Sequence, residues 1–233
     1  MVTTISVQRD VQADQKQQAS ELRQQLSSLG TLVVNIVASP GAGKTSLLQA
    51  IGRFWKDKYR PGALVGDLAT ERDAERLRPF MPTEQLTTGG ACHLEVPLVR
   101  RGLEKLPTPL DFLFIENIGN LVCPASHDLG EHLRVVVLST TEGDDKPAKY
   151  PKMFRTSQAL IISKTDLLPW VPFSIENAIH DAKLIQPELK TFALSALRDE
   201  GIEDCCRYLE SARKSLLQQQ AIHLDENTDQ QSH

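Results

Sequence analysis

The chain has 233 residues, 40% of them hydrophobic and 24% charged, with a formal net charge of −4. That length suits one large domain with a full core, and its interspersed charges leave no electrostatic footprint for nucleic acid or an anionic membrane. No apolar stretch approaches the roughly 20 residues of a membrane helix, no basic-then-apolar leader opens the chain, and four cysteines do not make a disulfide framework at this size. The expected setting is the cytoplasm, where thiol chemistry or metal binding are the informative uses of cysteine.

In chain order, the Gln-rich first thirty residues carry Ala19, Leu22, Leu26 and Leu29 at helical spacing. This predicts an amphipathic helix within 1–30, closed by Gly30 and leaning on the main domain. Apolar runs at 32–37, 63–65, 112–115, 135–138, 160–162 and 192–194 lack polar alternation and read as strands covered on both faces. Helical patterns intervene at 46–56, 74–80, 96–105, 174–185 and 202–217. Such alternation predicts an α/β domain over 31–220, a mainly parallel central sheet with helices on both faces. Neither an internal repeat nor a long linker divides it. Residues 221–233 form a tail, and 225–233, polar and aperiodic, are expected to be disordered.

The first strand runs into Ala38-Ser39-Pro40-Gly41-Ala42-Gly43-Lys44-Thr45 and then a helix. That strand–loop–helix context makes the segment a phosphate-binding loop. Its glycines let successive N–H groups curl round phosphate oxygens at a helix N-terminus, from Gly41 through Ser46. Lys44 would reach the terminal phosphates, and the Thr45 hydroxyl would join the shell of Mg²⁺. Ala38 stands where the pattern begins with glycine; the later glycines shape the loop.

Glu116-Asn117-Ile118-Gly119 follows the strand at 112–115, as a sensor of Mg²⁺ and the γ-phosphate must. Ser163-Lys164-Thr165-Asp166 follows the strand at 160–162 and resembles a guanine-reading Asn-Lys-x-Asp element with serine for asparagine. Asp166 would accept from the base edge and Lys164 would cover the ring, with Ser195-Ala196 as the last base-contacting loop. Asp67, ending the second strand, has two readings, a place in the Mg²⁺ shell or a helix cap. Arg72 and Asp73 belong either to a mobile switch or to a solvated helix start. No glutamine stands out as water-positioning.

Cys92-His93 lies in the glycine-rich stretch Thr88-Gly89-Gly90-Ala91-Cys92-His93, and Cys123 lies just beyond Gly119. Two thiolates and an imidazole suit Zn²⁺ or Ni²⁺, while incidental or core side chains are the alternative on spacing alone. Three ligands from one chain leave the sphere short, which points to a symmetric dimer pooling two sets. The short tether from the γ-phosphate sensor to Cys123 gives nucleotide state a route to the metal. His127 and His132 are auxiliary ligands or solvated histidines. Cys205 and Cys206 read as core or surface cysteines, and His223 and His233 are too sparse for a metal store.

Five stretches together resemble the HypB family of GTPases that help insert nickel into nickel–iron hydrogenase. They are Ser39-Pro40-Gly41-Ala42-Gly43-Lys44-Thr45, Gly66-Asp67-Leu68-Ala69-Thr70, Thr88 through Leu94, Phe114 through Ala125, and Thr141-Glu142-Gly143-Asp144-Asp145-Lys146-Pro147. The resemblance implies a P-loop fold of the SIMIBI class and a GTP-dependent homodimer. It implies an interface site at Cys92, His93 and Cys123 for nickel or zinc. The implied partners are an accessory nickel chaperone of the HypA type and the hydrogenase large-subunit precursor. Lys146 is implied to approach the neighbouring chain's nucleotide. The N-terminus lacks the His-rich or Cys-rich extension of many members, which argues against nickel storage.

Three other readings compete. The urease nickel GTPase family UreG shares the phosphate loop but carries a Cys-Pro-His metal motif, whereas this chain reads Ala91-Cys92-His93 and adds Cys123. A metal-binding adaptor that holds nucleotide with negligible turnover is another. A small-molecule P-loop kinase is disfavoured, because no acceptor-site constellation stands out.

Overall fold

The computed structural model describes the backbone of residues 3–67 and 71–230 and the side chains of 13–67 and 71–222. Its elements run α1 (Thr3–Ser28), β1 (Leu32–Ala38), α2 (Lys44–Phe54), β2 (Pro61–Asp67), α3 (Arg72–Leu77), β3 (Thr83–Thr87) and α4 (Val96–Leu103). They continue with β4 (Phe112–Glu116), β5 (Leu133–Ser139), α5 (Lys146–Lys149), α6 (Pro151–Arg155), β6 (Ala159–Ser163), α7 (Ile175–Ile185), β7 (Lys190–Ala193) and α8 (Ile202–Gln230). Short 3-10 turns lie at Pro124–Ser126 and Thr165–Trp170.

Seven strands form one sheet in the order β3-β2-β4-β1-β5-β6-β7, and every pairing is parallel. Alternate side chains of each strand enter opposite layers, as the two-residue period of a strand requires. Val34, Ile36, Phe112 and Phe114 pack with Leu47, Leu48 and Ile51 of α2, Ala74 and Leu77 of α3, and Leu209 of α8. Val33, Leu113 and Ile115 face the other way, against Ala19, Leu22 and Leu26 of α1 and Val99 of α4. On that same face Val136, Leu138 and Leu160 meet Met153 and Phe154 of α6 and Ala178 of α7. Helices therefore cover both faces, and the strands read as apolar runs because neither face meets water.

The structure departs from the sequence expectations in several places. Leu29 is 55% exposed and not part of the apolar face of α1, which ends at Ser28. Gly30, at φ 69°, turns the chain there: its N–H donates to Ser27 O, and the Thr31 N–H reaches Leu26 O. β3, α5 and α6 are elements beyond those expected. Residues 225–230, expected to be disordered, continue α8 as helix. Residues 231–233, and the Leu68-Ala69-Thr70 part of the motif at Gly66, lie outside the described residues. No helix among the described residues is long and apolar enough to cross a membrane.

Candidate nucleotide and metal sites

The phosphate loop joins β1, buried throughout, to the first turn of α2. Gly41 (φ 75°) and Gly43 (φ 95°) take left-handed conformations that L side chains rarely adopt, and Gly43 caps α2 with no side-chain hydrogen bond. The first N–H groups of α2 are thus left for a phosphate rather than a cap residue. Lys44 and Thr45 are both buried at this helix start. Gly119 packs directly beneath: a Cβ there would lie 2.9 Å from Pro40 Cα, so the segment after β4 touches the phosphate loop.

Glu116 completes this corner. Thr45 Oγ1 donates to its Oε1 at 2.8 Å, while its Oε2 is buried without a hydrogen-bond partner. Burial pushes the carboxyl up to about 7, against the opposing pull of Lys44 and the Thr45 hydrogen bond. A buried carboxylate oxygen with no donor, beside a threonine hydroxyl, is an oxygen-rich corner that fits Mg²⁺. Asp67 ends β2, the strand bordering β4.

On the base side, Lys164 sits at φ 59° after β6. The Ser163 hydroxyl donates to Ala42 O at 2.6 Å, and Lys164 Nζ donates to Gly41 O at 2.7 Å. Thr140 Oγ1 donates to Lys164 O at 2.7 Å. Asp166 Oδ1 accepts from Ser195 Oγ at 2.6 Å, so the base-reading segment and the Ser195-Ala196 loop are joined. Lys146 reaches its own phosphate loop, with Nζ 3.4 Å from Ser39 Oγ and 3.1 Å from Glu142 Oε2. Arg72 and Asp73 begin α3, where Asp73 pairs with Arg76 at 3.3 Å.

The structure also brings the three soft donors together. Cys92 is exposed on a turn in which Gly89 and Gly90 have positive φ. Its thiol lies 3.0 Å from Cys123 Sγ and 3.7 Å from His93 Nδ1. The hydrogen bond with Cys123 raises the Cys92 pKa above the ordinary thiol range. Burial, and then the neighbouring His127, lower that of His93. Two thiols in contact with an imidazole alongside are a donor set that fits Zn²⁺ or Ni²⁺. Among the described residues, no group of three or more His, Cys, Asp and Glu side chains stands assembled for a metal ion.

The remaining histidine and cysteine readings separate cleanly. His127 stacks on His93, with ring centroids 3.7 Å apart and planes at 19°. His132 instead lies between β1 and α1, its Nδ1 accepting from the Val33 N–H at 2.9 Å and its Nε2 2.8 Å from Ser27 Oγ. Cys205 and Cys206 are core residues whose thiols burial pushes up, Cys205 to about 12. His223 and His233 have side chains outside the described residues.

A buried polar chain also links the two sites. The Asn117 N–H donates to Ile36 O, and Asn117 Nδ2 to Asn35 Oδ1 at 3.2 Å. Asn35 Nδ2 donates to Glu131 Oε1, which also accepts from Arg134. Arg134 donates in turn to the His127 carbonyl at 2.7 Å, bracing the segment that carries Cys123. Sequence spacing gave no sign of this chain, because its members are far apart along the polypeptide.

Comparison with known proteins agrees with this architecture. Residues 32–193 match the family model described as CobW/HypB/UreG, nucleotide-binding domain. The chain is 41% identical over 221 residues to the hydrogenase maturation factor HypB of Azotobacter chroococcum, covering 91% of this chain and 70% of that one. It is 42% identical to the hydrogenase/urease maturation factor HypB of Helicobacter hepaticus, covering 84% and 82%. Among solved structures, HypB from Helicobacter pylori in complex with nickel superposes with a TM-score of 0.81 at 37% identity, covering 87% of this chain and 96% of that one. The 54 kDa signal recognition particle protein of Aeropyrum pernix, at 14% identity and a TM-score of 0.53 over 81% of this chain and 49% of that one, shares the fold alone. An all-parallel sheet, a phosphate loop opening α2, and extended identity to these relatives place the chain in the HypB family, within the CobW/HypB/UreG nucleotide-binding proteins.

Proposed function

We propose that this chain is a slow GTP-hydrolysing metallochaperone assisting nickel insertion into nickel–iron hydrogenase, with nucleotide state coupled to a Cys/His metal site. The observation that carries the reading is the junction of the two sites. Glu116, bonded to Thr45 of the phosphate loop, ends β4 and opens the segment that leads to Cys123, whose thiol contacts Cys92.

In this reading the N–H groups from Gly41 to Ser46, with Lys44, hold the phosphates. Thr45, Asp67 and Glu116 would hold Mg²⁺, which supplies charge neutralisation between the β- and γ-phosphates when bound. Guanine is read by Asp166, covered by Lys164 and bordered by Ser195 and Ala196. Cys92, His93 and Cys123 take nickel or zinc as cargo at the interface of a homodimer. A HypA-type nickel chaperone and the hydrogenase large-subunit precursor are the partners, and the compartment is the cytoplasm. The relative named as a hydrogenase/urease maturation factor supports a second client reading, delivery to another nickel enzyme.

The test is steady-state turnover with Mg²⁺-GTP. Lys44→Ala is expected to reduce turnover by about 10³ or more, since a phosphate-clamping charge acts mainly on the transition state. Its thermal midpoint should stay close to that of the parent chain. Turnover unchanged in a folded Lys44→Ala variant would remove the hydrolase assignment.

A further inference from the structure

We propose that His127 is a fourth metal ligand, so that each chain brings a Cys₂His₂ donor set of Cys92, Cys123, His93 and His127. The inference rests on the metal-site reading above and extends it.

Three observations carry it. His127 stands in a Cys-x₃-His spacing from Cys123, across the 3-10 turn Pro124–Ser126. Its ring stacks on His93, centroids 3.7 Å apart, so its nitrogens lie beside an existing donor of the set. Its Nδ1 lies 2.9 Å from the Cys123 carbonyl oxygen. A carbonyl only accepts, so Nδ1 carries the proton and Nε2 keeps its lone pair for a metal. Metal-ligating histidines are ordinarily oriented in this manner, through the nitrogen that does not bind.

The surroundings hold the ring in place. Arg134 donates to the carbonyls of both Ala125 and His127, and it is itself buried against Glu131. A cleft of about 910 Å³, lined by Glu95, His127 and Asp128 along with Lys16 and Lys152, borders His127. The donors stand as two contacting pairs, thiol on thiol and imidazole on imidazole, and closing them round one ion requires side-chain rotation. Two thiolates and two imidazoles are the donor types and number that a tetrahedral ion takes.

Simple ring packing is the competing explanation, and phenylalanine separates the two. His127→Phe retains an aromatic ring against His93 but removes the nitrogen. We would measure Zn²⁺ affinity by competition with a chromophoric chelator, and the visible d–d spectrum of the Co²⁺-loaded protein, in the parent chain, His127→Phe and Cys92→Ala. The expected result is a loss of Zn²⁺ affinity of about tenfold or more in His127→Phe, with altered Co²⁺ bands. Cys92→Ala should lose binding altogether. Unchanged affinity and spectrum in His127→Phe, with binding lost in Cys92→Ala, would overturn the fourth ligand and leave the three-donor site. Binding that survives Cys92→Ala would overturn the site itself. A thermal melt of each variant distinguishes lost ligation from lost folding.

Discussion

Ser163 stands where a guanine-reading Asn-Lys-x-Asp element would have asparagine, and its hydroxyl ties the segment after β6 to the phosphate loop through Ala42 O. One residue on, Lys164 makes a second tie through Gly41 O. Asp166 is held by Ser195 through Oδ1, and in the proposed reading its carboxylate would accept from the N1–H and N2–H₂ donors of guanine. The prediction at this scale is Asp166→Asn. Replacing an acceptor by an amide donor should lower GTP affinity about 100-fold and raise that for xanthosine triphosphate, whose base presents a carbonyl there. Competition binding with both nucleotides checks it; equal losses for both would place Asp166 outside the base site. Lys44, Thr45 and Glu116 stand out in the sequence because phosphate and Mg²⁺ chemistry demands fixed residue types after particular strands, and the fold joins Thr45 to Glu116 by a hydrogen bond. For His127 the sequence leaves a ligand and a solvated side chain both open; the stacking on His93 and the Nδ1 contact with Cys123 O are what the fold adds.

At the scale of elements, α1 is fastened to the segment that follows Cys123. Arg23 bridges to Asp128 at 2.5 Å and donates to Glu131 O, and Gly130 leaves room for the helix, since a Cβ there would meet Ala19 O at 3.0 Å. His132 makes the remaining tie, with Nδ1 accepting from Val33 N–H and Nε2 paired with Ser27 Oγ at 2.8 Å. Because Nδ1 must accept, the ring is held neutral; burial, and then Arg23, lower its pKa to about 4 from 6.5. The folded chain therefore refuses a proton that the unfolded chain accepts between those values. Its contribution to stability is complete above pH 6.5 and is lost as the pH falls toward 4. The neutral ring contributes at most about 1.4 kcal/mol for every pH step of one between those values, and its partial exposure to water reduces that. Urea unfolding at pH 7 and pH 5 should show a larger loss for the parent chain than for His132→Asn; identical losses would contradict this reading of His132.

The elements missed from sequence have physical reasons. β3 is an edge strand of sequence Thr-Glu-Gln-Leu-Thr with only Thr83 and Leu86 buried, so it lacks the apolar run that marked the inner strands. α5 and α6 span only 4 and 5 residues, each with a proline in its first turn, too short to show a helical period. Residues 225–230 have no apolar stripe, yet they extend α8 in register with its packed first half.

For the whole molecule, two connections join the candidate nucleotide corner at Thr45 and Glu116 to the candidate metal donors. One is the chain itself, running from Glu116 past Gly119, which touches Pro40, to Cys123. The other is the buried sequence of hydrogen bonds from Asn117 through Asn35, Glu131 and Arg134 to the His127 carbonyl. In the proposed reading, a shift of the post-β4 segment on γ-phosphate binding or loss would move both the covalent tether and the brace of the segment that carries Cys123. The parallel sheet was legible from six apolar runs, whereas this brace depends on polar residues that the fold brings together from distant positions. By linkage, a nucleotide that changes metal affinity must itself bind differently when metal is present. The most direct test is calorimetric Ni²⁺ and Zn²⁺ affinity of the chain in its apo, GDP and GTP-analogue states, with Cys92→Ala as control. The account predicts affinities that differ between nucleotide states by about fivefold or more, and no binding in the control. Equal affinity in every state, or binding that survives Cys92→Ala, would contradict it.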